Sequence, residues 1–406
     1  MNENSTAQCG DPAMPLRGLR ILDLTQFLSG PYGTMILADL GADVIKVEPP
    51  AGELSRTIAP HFVGGDSAYY LSINRNKRSV VADLKSHEGL ELVRALAGKA
   101  DIVVENFRPG VLSRLGLDHE AMARQRPELI WCSISGFGQT GPWRDWPAYD
   151  MVVQALSGGM SMTGEEQGLP VRAGIPLGDL SAGMYAVIGM LAALHERNST
   201  GRGRRVDIAM LDCQLSMLSY QAAYFLHSGQ VPGRQGSGHD SIPTYRSFVG
   251  SDGASVVVTA NTEKMWRSMA QVLGVPELAQ DARFATNTDR FNHRDALWPL
   301  LEKAFSARTA ADWMERLIAE GVPAGVVNTL DRALLNEQAQ ARNMVLALQA
   351  EGGTTQGPVS IRVAGNPVKF TGAAEATHQF PPSLGEHTAS AVRDWLGQWP
   401  ASPAAQ

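Results

Sequence analysis

Short apolar runs alternate with amphipathic stretches along the first half of the chain. Residues 19–24 (Leu-Arg-Ile-Leu-Asp-Leu) have the length and content of a buried strand. Pro31 suits the first turn of a helix running to about Leu40, and Gly41 closes it. Residues 43–47 form the next strand, and this strand–helix–strand spacing is that of a parallel unit with a right-handed crossover. The alternation continues with strands at 79–84, 102–105 and 129–134, an amphipathic helix at 87–97 and a mostly helical stretch at 111–125. The fold class that follows is α/β, a doubly wound parallel sheet.

Residues 184–194 are apolar on nearly every side and predict a buried helix. A strand at 206–211 and a helix around 214–226 follow. Residues 229–245 are rich in glycine and proline and read as a linker or an active-site flap. Asp252-Gly253 is a hairpin signal that opens a second, smaller α/β unit, with a strand at 254–259 and helices near 262–273, 295–305 and 310–320. The stretch 330–343 reads as helical, 352–358 as a loose turn, and 359–363 and 366–370 follow it. The domain reading is therefore 1–225 for the first part of the large domain, 226–330 for the small one, and 331–406 for a return to the large one.

Composition narrows the class. Of 406 residues, 44% are hydrophobic and 19% charged, enough for a sizeable core and against disorder. Net charge is −6 with no basic block, which argues against nucleic acid as a partner. Cys9, Cys132 and Cys213 have no CxxC spacing and read as free thiols. No His/Cys/Asp cluster has metal-ligand spacing, so no metal is expected. Residues 1–14 lack the basic and apolar regions of a signal peptide, and the apolar run 180–194 is shorter than the ~20 residues of a membrane span. A cytoplasmic enzyme that does not engage a membrane is the expectation.

Ligands of such sheets bind at the carboxyl ends of the strands. Those ends carry residues 25–31, Glu48-Pro49-Pro50, residues 106–110 and Ser135-Gly136-Phe137-Gly138. Glu48 stands where a ribose-binding acid would sit, yet the first turn has no G-x-G-x-x-G, so a dinucleotide fold is disfavoured. The segment 174–183, with Gly178-Asp179 at its centre, places a carboxylate in the first turn of the buried helix. It can be read as a helix cap or as a nucleophile in a dry, glycine-lined pocket.

Five ordered blocks carry a resemblance: residues 33–49, containing Leu-Gly-Ala-Asp-Val-Ile-Lys-Val-Glu; Asn74-Arg75-Asn76-Lys77-Arg78-Ser79; residues 105–110; Gly178-Asp179; and residues 201–205. The chain resembles the class III (CaiB/BaiF-type) CoA-transferases from about Pro15 to Phe370, and among them the succinyl-CoA:dicarboxylate branch. The resemblance implies that Asp179 is the catalytic nucleophile, passing through an aspartyl anhydride and an aspartyl-CoA thioester. It implies a CoA thioester as substrate with no permanently bound cofactor, a carboxylic acid as acceptor, and an interlocked homodimer.

Matching positions expected to meet CoA are Leu28, Ser29, Pro49, Ala82, Lys85, Asn106, Phe107, Arg108, Arg114, Ser135 and Phe137. Pro49 replaces an adenine-stacking arginine of the formyl-CoA enzyme, Ser135 a lysine and Phe137 a tyrosine. Gly236, Ser237 and Gly238 match a glycine loop that shields the intermediate, and backbone N–H groups near Gly178 or in that loop are expected to hold oxyanions. Arg108 or Arg172 is expected to pair with the distal carboxylate of a dicarboxylate. The Asn74–Arg78 block is compatible with a purely structural role. Two rivals remain. One is an alpha-methylacyl-CoA racemase, which needs a histidine where Tyr149 precedes Asp150. The other is a protein that binds CoA without catalysis.

Overall fold

A computed structural model describes residues 14–350, 359–371 and 377–400. The expected N-terminal tail, all but its last residue, and the turn at 352–358 lie outside them.

The chain begins with β1 (Arg20–Asp23), α1 (Ser29–Asp39) and β2 (Asp43–Glu48), then a small hairpin of β3 (Phe62–Val63) and β4 (Asp66–Ser67) leading into α2 (Ala68–Ile73). Next come β5 (Lys77–Val81), α3 (His87–Ala97), β6 (Ile102–Glu105), α4 (Val111–Arg114), α5 (His119–Gln125) and β7 (Ile130–Ser135). After α6 (Asp150–Leu156) and α7 (Gly159–Met162) runs the long α8 (Leu177–Thr200), followed by β8 (Arg205–Ala209), α9 (Met210–Met217) and α10 (Ser219–Ser228). The expected helix at 111–125 breaks at Gly116, whose φ is +80°, and that at 214–226 breaks at Ser219, whose φ is +50°.

Six strands form one parallel sheet in the order β5-β2-β1-β6-β7-β8. Its central strands β2, β1, β6 and β7 are buried on both faces. Ile21 of β1 joins a core with Leu37, Ala186 and Met190, while its neighbour Leu22 joins a core with Leu92, Val93 and Trp395. The first core lies under α1, α8 and α9, the second under α3 and α17 (Thr388–Leu396). Helices on both faces make the sheet doubly wound, as expected. From β1 the chain winds one way to β2 and β5, and from β6 the other way to β7 and β8, so the order reverses between β1 and β6. A crevice opens at the carboxyl ends of strands where that happens.

Several charged residues inside the sheet are paired. Lys77 meets Asp23 at 3.0 Å and Lys46 meets Glu53 at 2.8 Å. These cations and Thr34 hold the Asp23 carboxyl down to about 2 against its burial. The Asn74–Arg78 block is structural: Arg75 binds Asp39 at 2.7 Å, Lys77 donates to Asn74 and to the Pro31 carbonyl, and Arg78 binds Asp43 and Asp394. Glu48 is likewise engaged, with Arg56 at 2.6 and 2.7 Å and with Ser79.

The apolar run expected at 180–194 extends in the structure to the 24 residues of α8. By length and composition alone this helix could cross a membrane; here it packs on α1, α6, α9, β7 and β8, but it is not buried on nearly every side as expected, since Met184 and Ile188 are exposed.

The chain divides into two compact units. The first holds the residues up to 159, 173–228 and those from 340 onward; the second holds 160–172 and 229–339. The second unit contains β9 (Arg246–Val249), β10 (Ser255–Val258), α11 (Glu263–Val272), α12 (Asn287–Asn292), α13 (Arg294–Phe305), α14 (Ala310–Ala319), β11 (Ala324–Val326) and α15 (Leu330–Leu335). Its sheet is antiparallel throughout, in the order β11-β10-β9, so the expected small α/β unit is helices on an antiparallel sheet. The Asp252-Gly253 turn joins β9 to β10 as the hairpin signal indicated. After α16 (Glu337–Ala341), β12 (Val345–Gln349) pairs antiparallel with β13 (Ser360–Ala364). Residues 366–370 form no strand.

Candidate active site

A cavity of about 300 Å³ opens in the first unit where the sheet order reverses. The loop after β1 supplies Gln26 and Phe27, α1 supplies Ser29, and α2 supplies Tyr69. The loop after β6 supplies Asn106, Phe107 and Arg108, and the end of β7 supplies Ser135. Asp179 comes from the third residue of α8 and Met210 from the start of α9.

Glycines bring α8 to this place. A Cβ on Gly183 would sit 2.6 Å from the Ser29 carbonyl, and one on Gly33 would sit 2.9 Å from the Gly183 carbonyl. Backbone therefore meets backbone between α1 and α8, and the first turns of the two helices share one corner. The Ser29 hydroxyl lies beside the Asp179 carboxylate there and favours its charged form.

The Asp179 carboxyl is pushed up to about 7, first by burial and then by the charge of Asp150, with Ser29 opposing in part. Tyr69 is raised as well, by burial and by the nearby Asp179, Glu53 and Asp150. Asp179 does not cap its helix. The cap comes from Asp150 of α6, whose Oδ1 accepts the N–H of Gly178 at 2.7 Å and of Asp179 at 3.3 Å. The N–H groups expected to serve an oxyanion at Gly178 are therefore already engaged.

The loop after β1 is held open by force. Phe27 adopts φ +61°, a left-handed conformation that costs a side-chain-bearing residue about 1–2 kcal/mol. Glu53 accepts the Phe27 N–H at 2.9 Å, and the Asn106 amide bridges Gln26 through its N–H at 2.9 Å and its carbonyl at 2.8 Å.

Of the positions matched to CoA contacts, Ser29, Asn106, Phe107, Arg108 and Ser135 line this cavity. Leu28 precedes α1 and lies beside it in the chain. Phe137 is buried one layer away, edge-on to Trp143 and Trp146 at 5.8 and 6.0 Å. Ala82 is buried after β5, whereas Pro49, Lys85 and Arg114 stand on the surface. Gly236, Ser237 and Gly238 belong to the second unit, where the Gly236 N–H meets the Gly164 carbonyl at 3.1 Å. Arg172 also belongs to that unit.

Several cavity residues escape a reading of the sequence. Tyr69 sits in a six-residue helix with no periodicity to expose it. Arg144 and Trp146 lie in a glycine- and proline-rich loop, and Trp146 stacks on Trp143 at 4.8 Å with both residues exposed. Two tryptophans in such a loop are a usable sign of a binding surface.

A half-buried carboxylate of raised basicity, beside a hydroxyl at a reversal crevice whose lining also holds Arg108 and Arg144, is suited to covalent attack on an activated acyl group. Residues 16–388 match the family described as CoA-transferase family III. The chain belongs to that family. As a family III CoA-transferase it is an enzyme that transfers CoA, with CoA thioesters as substrates. It is 38% identical to succinyl-CoA:glutarate CoA-transferase of Homo sapiens, over 94% of this chain and 86% of the relative. It is 39% identical to acetyl-CoA:oxalate CoA-transferase of Acetobacter aceti, over 97% and 98%. The solved structure of a CAIB/BAIF family protein from Brucella suis superposes with a TM-score of 0.82 at 38% identity, covering 94% of this family III chain and 100% of that one.

Proposed function

We infer that this CoA-transferase moves CoA from succinyl-CoA to a second dicarboxylic acid, with Asp179 as the covalent nucleophile. The observation that carries the reading is the half-buried Asp179 carboxyl, raised to about 7 and facing the cavity beside Ser29. Relatives named for succinyl-CoA with glutarate, mesaconate and D-citramalate support the substrate class.

The Asp179 carboxylate attacks the thioester carbonyl and expels CoA thiolate, leaving a mixed anhydride. The thiolate then attacks the Asp179 acyl carbon and expels succinate, leaving an aspartyl-CoA thioester. The acceptor carboxylate attacks that thioester and expels the thiolate again. Finally the thiolate takes the acceptor's acyl carbon, and the Asp179 carboxylate is restored. No proton is gained or lost over the cycle. α1 begins without a side-chain cap and Pro31 carries no N–H, so the Ser29 and Gly30 N–H groups are the donors left for a developing oxyanion. Arg108, exposed at the cavity rim, is the partner for the distal carboxylate, and Arg144 is a second cation on the same wall.

No histidine lines the cavity among the described residues, which leaves the racemase reading without its second acid–base group. We also hold to the homodimer. α10 has no buried residue and exposes Tyr220, Tyr224, Phe225 and Leu226, apolar surface suited to a second copy.

Mass spectrometry of the protein after incubation with succinyl-CoA tests the reading. A CoA thioester on the Asp179 peptide, absent in Asp179→Ala, is the expected result. Transfer at wild-type rate by Asp179→Ala refutes it. Unchanged KM values for succinyl-CoA and acceptor in Arg108→Ala remove Arg108 from substrate recognition.

A further inference from the structure

Asp150 sits at the centre of a hydrogen-bonded chain that ends on the nucleophile's own backbone. Its Oδ1 takes the N–H groups of Gly178 and Asp179, and its Oδ2 accepts Gln154 Nε2 at 2.7 Å. Gln154 is 3% exposed, and its Oε1 accepts the Ala173 N–H at 3.0 Å. α8 has no side-chain cap from its own N-cap residue, Pro176.

Gly178 makes this approach possible. A Cβ there would stand 3.0 Å from Asp150 Oδ1 and 2.5 Å from Gln214 Nε2. Gln214 cannot easily yield, because its Oε1 accepts Ser157 Oγ at 2.8 Å. The glycine before the nucleophile is thus required to admit a second carboxylate.

A helix N-terminus ordinarily stabilises a nearby carboxylate and makes it a weaker base. Here the N–H groups that would do so are taken by Asp150, which also brings a like charge. We propose that Asp150 is a positioning residue that keeps the Asp179 carboxylate strongly nucleophilic by withdrawing the α8 N-terminus from it. The inference rests on Asp179 being the nucleophile. The raised Asp179 carboxyl, with Asp150 as the second cause after burial, agrees with it. Ser29 from α1 and Tyr69 from α2 also act on or respond to the Asp179 charge, and Tyr149 at the start of α6 and Arg108 and Arg144 from the cavity loops line the same cavity.

The test is Asp150→Asn, whose amide oxygen can still accept the two N–H groups but carries no charge. The acid limb of kcat/KM is expected to move down by about one pH unit, with kcat at pH 8 falling about tenfold and KM holding. Asp150→Glu is expected to recover the limb. Carbon-13 labelling of aspartate carboxyls reads the same coupling without turnover: the Asp179 signal, assigned by its loss in Asp179→Asn, titrates near neutrality in the wild type. An Asp179 signal titrating near the ordinary value of ~4 in the wild type overturns the proposal whether or not the variant folds. So does a variant that loses activity at every pH with its limb unmoved, since that is a structural cap alone. If Asp179→Ala keeps its transferase activity while the wild-type Asp179 signal titrates near neutrality and moves down in Asp150→Asn, the covalent mechanism fails and the carboxylate pairing stands.

Discussion

Replacing Gly183 by alanine perturbs the joint between α1 and α8, and its cost can be worked from the geometry. The new Cβ would lie 2.6 Å from the Ser29 carbonyl, 3.1 Å from Tyr32 Cδ1 and 3.4 Å from the Gly33 nitrogen. Two of these neighbours are backbone, so relief requires the helices to separate. Overpacking of this kind belongs at the upper end of its usual range, about 3 kcal/mol. Alanine in a helix interior returns about 1 kcal/mol relative to glycine. The net loss is about 2 kcal/mol, or a fall in Tm of about 4–8 °C. The activity effect should be larger than the stability effect, because Ser29 and Asp179 ride on the two separating helices. A misplacement near 1 Å costs about a hundredfold in rate. Differential scanning fluorimetry and steady-state transfer kinetics read both quantities. A Gly183→Ala protein with wild-type Tm and kcat would show that the two helices are not held at contact distance, and the account of how Asp179 is placed would fail.

Two further outcomes follow from the site. Asn106→Ala removes both bonds to Gln26 and should cost about 1–3 kcal/mol, with Phe27 released from its left-handed conformation and kcat reduced; unchanged kcat would show that this loop is not set by Asn106. Asp179 has its carboxyl raised in the folded state, so the native protein binds more protons than the unfolded chain between about 4 and 7. Its contribution to stability is full below the unfolded value and is lost as pH rises through about 7. Asp179→Asn should therefore raise Tm more at pH 8 than at pH 5, and an equal shift at both would refute the raised value.

The parallel half of the fold was legible because its strands are short apolar runs separated by helical stretches, and each strand's carboxyl end could be located by its loop. β9 and β12 were not legible. Both are half-exposed four- or five-residue strands, Arg246–Val249 and Val345–Gln349, that take their form from an antiparallel neighbour and carry no strong alternation. Asp179 could be singled out as a carboxylate opening a long apolar helix. Its cap could not, because Asp150 lies 28 residues away in the chain and only the tertiary fold brings the two together. Tyr69 is hidden for the same reason: its chemistry depends on charges from α6 and α8.

The division of the chain has a consequence for the order in which it is made. The second unit is built from two separated segments, 160–172 and 229–339. During synthesis the first of these leaves the ribosome well before its partners exist. The Gly164 and Glu165 carbonyls are bonded by Gly236 and Arg234, some 70 residues downstream. At about 5–20 residues per second, the intervening 56 residues, 173–228, take about 3–11 s to emerge. They contain α8, so the helix bearing Asp179 has time to dock on α1 while the earlier segment still waits, and the nucleophile's corner can be assembled before the second unit has a complete chain.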